Sequence, residues 1–308
     1  MVRTGMIRDT SPGSLLLDVF IYGALLVVVI VTLYPVLHVA SMAISSGDAV
    51  LKKTVTFYPK GFSLRAFELI FSSRNIPIGY RNQVVYAVLG TTISLTLTTA
   101  MAYPLSKRRL TLRSFYMVLV VVTMFFGGGL IPLYLLVMKL GMLNTIWAVV
   151  LPAAISAYNV IILRTFFQAV PQEMEESAFL DGANDIRILV SIVMPVSKAA
   201  LATIGLFYLV SHWNSWFYAV IFLKDHDLKP LQVVLRNIVL EQGMISEELD
   251  INESDMQAMR LVASRDSFIN YEKLKHATLI AAMLPMLIVY PFIQKYFAKG
   301  VMIGSLKA

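Results

Sequence analysis

The sequence contains no cysteine, which excludes disulfide bonds, thiolate metal sites and a cysteine nucleophile. Its four histidines are too scattered to form a recognisable metal-binding pair. The dipeptide Gly-Lys does not occur, so the chain carries no Walker-type phosphate loop of its own. These absences predict a non-catalytic protein that binds no metal and no cofactor itself.

Charged residues are also scarce. They make up 15% of the 308 residues, whereas a soluble chain has roughly a quarter, and hydrophobic residues make up 57%. No Asp or Glu occurs between Glu68 and Glu173, which is natural in lipid, where a central charge costs about 2.5–3.5 kcal/mol. The composition therefore predicts an integral membrane protein embedded in a lipid bilayer. The net charge of +7 fits the positive-inside rule, so we expect no nucleic-acid partner.

Six apolar stretches are long enough to cross a bilayer, and they predict an all-α protein with six transmembrane helices in a single domain, residues 1–308. They cover residues 15–44, 82–105, 114–138, 146–168, 194–223 and 274–298. A tight turn at 139–144 separates the third from the fourth. A cleaved signal peptide is the alternative for the first stretch, but that stretch is longer than a typical signal sequence.

Basic residues indicate the orientation of the spans. Arg3 and Arg8 precede the first span, and a short cluster at 107–109 with Arg113 follows the second. The positive-inside rule then places both termini in the cytoplasm. Five cations in the loop at 45–80 would lie outside, which opposes this assignment, but the short loop is the stronger indicator.

The loop at about 224–273 is long and acidic, with ten carboxylates against six Lys and Arg residues. It is either a solvated connector or a docking surface for a soluble extracellular partner. A helical piece is expected at 253–264.

The segment at about 170–195 predicts a short helix–turn–helix at the membrane surface. Pro171 suits the first position of a helix, Gly182 permits a sharp bend, and Asp181 is expected to cap the second helix. The expected apolar faces are Met174, Ala178 and Phe179 on the first helix, and Ile186, Leu189, Val190 and Val193 on the second. Such a unit is either an inert loop or a mechanical connection to a cytoplasmic partner.

This segment resembles the EAA motif of ABC-importer permeases. The resemblance rests on Glu176-Ser-Ala-Phe-Leu-Asp181-Gly182-Ala183, followed by Pro195, with Ser177 and Met194 as small departures. A later proline of many family members is replaced by Ala199. Nearly the whole chain is similar to the maltose-permease class, and three further stretches are similar to its branch for polysaccharide-derived oligosaccharides. These are residues 125–132, 151–167 and 212–216.

The resemblance implies a type I ABC importer permease in a bacterial cytoplasmic membrane. Its expected partners are a second homologous permease, two cytoplasmic ATPase subunits that hold ATP and Mg, and an extracellular sugar-binding protein. The EAA helix of such a permease seats in a cleft of the ATPase, which drives alternation between inward- and outward-facing states. The residues implied in ATPase coupling are Glu175, Glu176, Ser177, Ala178, Asp181, Gly182 and Ala183.

Polar and aromatic residues within the spans are candidates for a sugar pathway. They are Phe125, Gly127, Tyr158, Asn159, His212, Trp213, Asn214 and Trp216. The alternatives are an interfacial aromatic belt and helix–helix hydrogen bonding. Gly127 to Gly129 with Pro132 predict an irregular helix in the third span. The hydroxyl residues of the second span are expected to bond their own helix backbone.

The main functional alternative is a secondary transporter of a small polar solute. Proton-coupled transport of that kind needs ionisable groups near the bilayer midplane. The absence of carboxylates between Glu68 and Glu173 disfavours it, and also disfavours a membrane-bound enzyme.

Overall fold

A computed structural model describes residues 12–72, 74–237 and 273–291, and these residues are mainly helical, with no β-strand among them. The helices before residue 170 are α1 Pro12–Ala43, α2 Gly47–Leu51, α3 Arg65–Ser72, α4 Asn75–Ser106, α5 Arg113–Phe125, α6 Leu130–Lys139, α7 Ile146–Val150 and α8 Ala157–Gln168. Those after it are α9 Gln172–Leu180, α10 Asp185–Ile188, α11 Met194–Val196, α12 Lys198–Asn214, α13 Phe217–Phe222, α14 at 231–237 and α15 Lys273–Pro291.

Three single helices are long and apolar enough to cross a membrane, namely α1, α4 and α15. Three bent pairs meet the same test: α5 with α6 at 109°, α7 with α8 at 55°, and the 185–196 segment with α12 at 87°. If each bent pair is one span, the described chain has six, as the composition predicts. The second span begins at Asn75 rather than near residue 82. The predicted end of the sixth, near 298, lies outside the described residues.

The predicted irregularity in the third span is confirmed. Phe126 is extended and Gly129 has φ +81°, so the chain turns sharply between α5 and α6. The tight turn after α6 is confirmed too, with φ +67° at Gly141 and +57° at Asn144. The Asn144 side-chain oxygen accepts hydrogen bonds from the backbone amides of Lys224 and Asp225 at 3.0 and 2.9 Å.

The fifth span is not the continuous helix predicted over 194–223. The chain turns by 87° at Ser197, just after Pro195, and α12 then ends at Asn214. Ser215 is extended, and α13 begins only at Phe217. The apolar character of 194–223 could not reveal this second break, because hydropathy measures burial in lipid and not backbone continuity.

The described helices fall into two units. One contains α1 to α3 and residues 273–281, and the other contains α4 to α14 and residues 282–291. In the second unit α4 packs against both α12 and α8. Its core includes Tyr103, Leu163, Phe167, Ile188 and Ile204. In the first unit, the buried Lys273 side chain donates a hydrogen bond to the hydroxyl of Ser63 at 3.3 Å. The helix predicted at 253–264 lies outside the described residues, as does most of the acidic loop.

Candidate functional site

The segment at about 170–195, which we call the coupling segment, carries the EAA-like motif at the end of α9 and in the turn after it. Gly182 has φ +78°, a conformation that favours glycine. The amide of Gly182 donates to the carbonyl of Phe179 at 3.0 Å, and the amide of Ala183 donates to that of Ala178 at 2.9 Å. This pair of bonds is a Schellman motif, in which a left-handed glycine closes the helix. The predicted bend at Gly182 is therefore confirmed, and the motif residues Ala178 and Ala183 have a defined structural role.

Asp181 does not cap the second helix as the sequence analysis predicted. It is the last residue before the turn, and the side chain of Asn184 caps α10 by accepting a hydrogen bond from the Arg187 amide at 2.9 Å. The Schellman turn places Gly182 and Ala183 between Asp181 and the cap of the second helix, and the prediction did not allow for these two residues. Both residue types are good N-caps, so the choice depends on turn geometry.

The predicted apolar face of the second helix is also wrong in part. Ile186 and Val190 are exposed, whereas Ile188 and Val193 are fully buried. Residues Leu189–Val193 form a π-helical turn between α10 and α11. A π-turn has a wider repeat than an α-helix, so a face drawn at α-helical spacing does not continue through it.

The loop after α4 anchors α9 and α10 through two ion pairs. Lys107 pairs with Glu175, and both side chains are nearly buried, at 13% and 11% exposed. Lys107 Nζ also lies 4.4 Å from the centre of the Tyr103 ring. Arg109 pairs with Asp185, and here both side chains are about half exposed. The guanidinium of Arg109 lies 4.3 Å from the ring centre of Phe179.

The residues implied in ATPase coupling therefore divide into two groups. Glu175 and Ala178 are buried in the fold, while Glu176, Ser177, Asp181 and Gly182 are exposed and Ala183 is half-buried. Large apolar side chains are also exposed beside the exposed motif residues. The most exposed are Leu180 at 90% and Ile186 at 73%. We call eight of the exposed residues of this segment the coupling surface: Met174, Glu176, Ser177, Leu180, Asp181, Gly182, Ile186 and Val190.

A second polar cluster lies where α4 crosses α12. The buried His212 ring is 3.0 Å from the hydroxyl of Ser94, measured from Nε2, and it stacks on Tyr208. The hydroxyls of Tyr208 and Thr98 are 2.6 Å apart, and the Tyr208 oxygen accepts a hydrogen bond from the Ser156 amide at 3.0 Å. Thr92 does bond its own helix, as predicted for the hydroxyl residues of the second span, but Ser94 and Thr98 bond across to α12.

Gln83 satisfies the backbone where α12 ends. Its side chain is fully buried, and Nε2 donates to the carbonyls of His212 and Trp213 at 3.1 and 2.9 Å. The indole of Trp213 donates to the carbonyl of Ala282 at 3.3 Å. The carbonyls at the end of a helix lack intrahelical partners, so a break inside a membrane requires such donors.

Sequence reasoning missed the role of Gln83, although a signal for it exists. Small and polar residues recur along one face of α4 at spacings of three and four. They are Gln83, Ala87, Gly90, Ser94, Thr98 and Ala102, and all are buried. A stripe of this kind marks a close helix–helix contact in a membrane.

The proposed pathway residues are not gathered in one place. His212, Trp213 and Asn159 are buried, whereas Phe125, Tyr158, Asn214 and Trp216 are exposed. Gly127 lines a crevice of about 500 Å³ together with Phe217 and Tyr218 of α13. The Trp216 ring lies 5.2 Å from the guanidinium of Arg236. Within the described ranges, no group of three or more His, Cys, Asp or Glu residues could hold a metal ion.

Residues 80–303 match the family described as "Binding-protein-dependent transport system inner membrane component". The chain belongs to this family. It is 42% identical to the "Polygalacturonan/rhamnogalacturonan transport system permease protein YtcP" of Bacillus subtilis, over 95% of this chain and 98% of that protein. It is 37% identical to "Protein LplC" of the same organism, over 90% of each chain.

A solved structure shows that this chain is also similar to a known transporter in its fold. It is the crystal structure of "a bacterial ABC transporter involved in the import of the acidic polysaccharide alginate". One of its chains aligns with a TM-score of 0.80 and 31% identity, over 93% of this chain and 98% of that one. This permease therefore has the type I ABC importer fold that the EAA-like motif implied, and its role is transport.

Proposed function

We propose that this permease carries oligosaccharides through the membrane in an ATP-driven importer. Relatives that carry the names of polygalacturonan, rhamnogalacturonan and arabinooligosaccharide transport systems support this substrate class, and so does the alginate importer. Trp216 and Tyr158 offer exposed aromatic faces on which the C–H surfaces of sugars can stack, and Asn214 offers an exposed amide. Asn159, His212 and Trp213 are buried, and Phe125 and Gly127 lie at the break in the third span.

The coupling surface is proposed to seat in a cleft of the ATPase. The observation that carries this proposal is the exposure of Leu180 and Ile186 on a segment that is otherwise firmly anchored. Exposed apolar side chains rimmed by polar ones are typical of protein contacts. Lys107 and Glu175 join α9 to the end of α4, so a displacement of α9 is transmitted directly to a membrane-spanning helix.

The remaining partners follow from this role. A second homologous permease completes the membrane part, two ATPase subunits hold ATP and Mg, and an extracellular binding protein delivers the sugar. The coupling surface then faces the cytoplasm of a bacterial cell, and six crossings return both termini to that side. The acidic loop at 224–273 is proposed to dock the binding protein.

Reconstitution tests this proposal. The tagged full chain is purified with its associated subunits from its own cells and placed in vesicles with ATP, binding protein and a panel of oligosaccharides. Uptake should require ATP. Leu180→Asp should lower uptake by about tenfold or more, because a carboxylate would be buried in an apolar contact, and it should release the ATPase but not the second permease.

Leu180→Met is the matched control, and it should keep both uptake and the ATPase. Uptake that runs on an ion gradient without ATP would favour the secondary transporter. Undiminished ATPase content in the Leu180→Asp preparation would refute the coupling surface.

A further inference from the structure

Three arginines line one crevice beside the anchored loop. Arg108, Arg113 and Arg164 surround a space of about 840 Å³, together with Leu112, Phe115 and Met117. None of the described residues that line it is acidic. We call this space the arginine crevice. It lies at the end of the molecule that carries the coupling surface, because Arg108 sits between the two loop residues that anchor α9 and α10.

The nearby carboxylates are already ion-paired with cations other than the three arginines of the crevice. Glu175 lines an adjoining recess with Arg108 and Arg113, but its carboxylate is paired with Lys107. Asp185 is paired with Arg109. Among the described residues, no ion pair includes any arginine of the crevice.

The hydrogen bonds of these arginines hold them in position without neutralising them. Arg164 Nε donates to the carbonyl of Leu105 at 3.0 Å, at the end of α4. With its amide oriented to satisfy both neighbours, the Gln168 oxygen accepts from Arg113 at 2.7 Å and from Arg164 at 3.1 Å. Like charges held together repel, so the cluster is stabilised by any anion that enters the crevice.

The other wall of the crevice is apolar and continues along α5, the first helix of the bent third span. Phe115 is 56% exposed, and beyond it Val118, Leu119 and Val122 are exposed along α5. A small soluble anion would make no favourable contact with such an apolar wall. A ligand with an anionic head and hydrocarbon chains satisfies both halves of the site at once, and anionic lipids are the molecules of this kind that surround a membrane protein.

We propose that the arginine crevice binds the headgroup of an anionic phospholipid, with its acyl chains along the exposed face of α5. The planar guanidinium groups of Arg108 and Arg113 bind the phosphate oxygens in pairs. A headgroup there also contacts the loop that anchors α9, so the lipid stabilises the coupling segment from its membrane side.

Lipid titration of the purified full chain tests this proposal without any partner subunit. The delipidated chain receives phosphatidylglycerol or phosphatidylcholine with the same acyl chains, and native mass spectrometry and the melting temperature report binding. Phosphatidylglycerol should form a discrete adduct and raise the melting temperature, whereas phosphatidylcholine should do neither. Arg108→Gln with Arg113→Gln should weaken binding by about 30-fold, from the loss of two cations near the headgroup.

Lys198→Gln removes an exposed cation outside the crevice and is the matched control, with unchanged binding expected. If the double variant fails to fold, the single change Arg108→Gln takes its place, because Arg108 makes none of the hydrogen bonds that hold Arg113 and Arg164. Equal binding of both lipids, or full binding by the Arg108→Gln chain, would overturn the proposal. So would an equal rise in melting temperature with inorganic phosphate alone.

Discussion

The crossing of α4 with α12 and the coupling segment use their polar groups in opposite ways. At the crossing, Gln83, Ser94 and Thr98 are fully buried, and each bonds to α12. In the coupling segment, Glu175 is paired and buried, but Glu176 and Asp181 are exposed together with large apolar side chains. The crossing uses its polar groups for hydrogen bonds inside the fold, whereas the coupling segment leaves Glu176 and Asp181 exposed on its surface.

The difference follows from the solvent of each region. Apolar contact drives helices together only weakly in lipid, so small residues and interhelical hydrogen bonds fix how α4 meets α12. In the coupling segment Glu176 and Asp181 are exposed, so they need no protein partner inside the fold. The buried fixed point of this segment is the Lys107–Glu175 pair, whereas the residues of the coupling surface are exposed.

The largest expected effect is that of Lys107→Met. The substitution leaves the Glu175 carboxylate buried without its cation, which should lower the free energy of unfolding by about 3–5 kcal/mol. Thermal or denaturant unfolding of the purified chain in detergent measures this loss. The double variant Lys107→Met with Glu175→Leu should recover most of it, because no charge then remains buried.

Arg109→Met is the matched control in the same loop. Its ion pair with Asp185 is half exposed, so the loss should be below about 1 kcal/mol. Equal losses for the two single variants would contradict the distinction between a buried anchor and a solvated pair.

Gly90→Ala examines the crossing itself. A Cβ at Gly90 would lie 2.7 Å from Nδ1 of the His212 ring, which Ser94 and Tyr208 hold in place. Overpacking of this kind should lower the free energy of unfolding by about 1–3 kcal/mol. Gly205→Ala on α12 is the control, since its Cβ would meet Leu95 at an ordinary 3.6 Å. Unchanged stability after Gly90→Ala would show that the two helices can separate without loss.

The sequence predicted the membrane class, the six apolar stretches and the bend at Gly182, because each depends on local chemistry. Hydropathy reports lipid burial, and a glycine between two short helical patterns reports a turn. The π-turn at Leu189–Val193 and the break at Ser215 have no comparable signal in the local sequence. The break depends on donors from distant residues, such as Gln83 for the carbonyls at the end of α12.

The pairing of charges could not be predicted for a related reason. Glu175 and Glu176 are adjacent acids in one helical turn, and the sequence alone treats them as equivalent. Only the position of Lys107, 68 residues earlier in the chain, makes the first a buried anchor and leaves the second exposed.

The smallest expected effect is the difference between two threonines of α4. The sequence predicted for both a hydrogen bond to their own helix backbone. Thr98→Val removes a hydroxyl that lies 2.6 Å from the Tyr208 oxygen, and the loss should be about 0.6–1 kcal/mol in the free energy of unfolding. Thr92→Val removes a hydroxyl that bonds only the Val88 carbonyl of its own helix, so its effect should stay within about 0.5 kcal/mol. The variants share one helix and one change of shape, so the difference between their unfolding free energies isolates the bond to α12. Identical values would mean that the contact between Thr98 and Tyr208 adds nothing to the stability of this crossing.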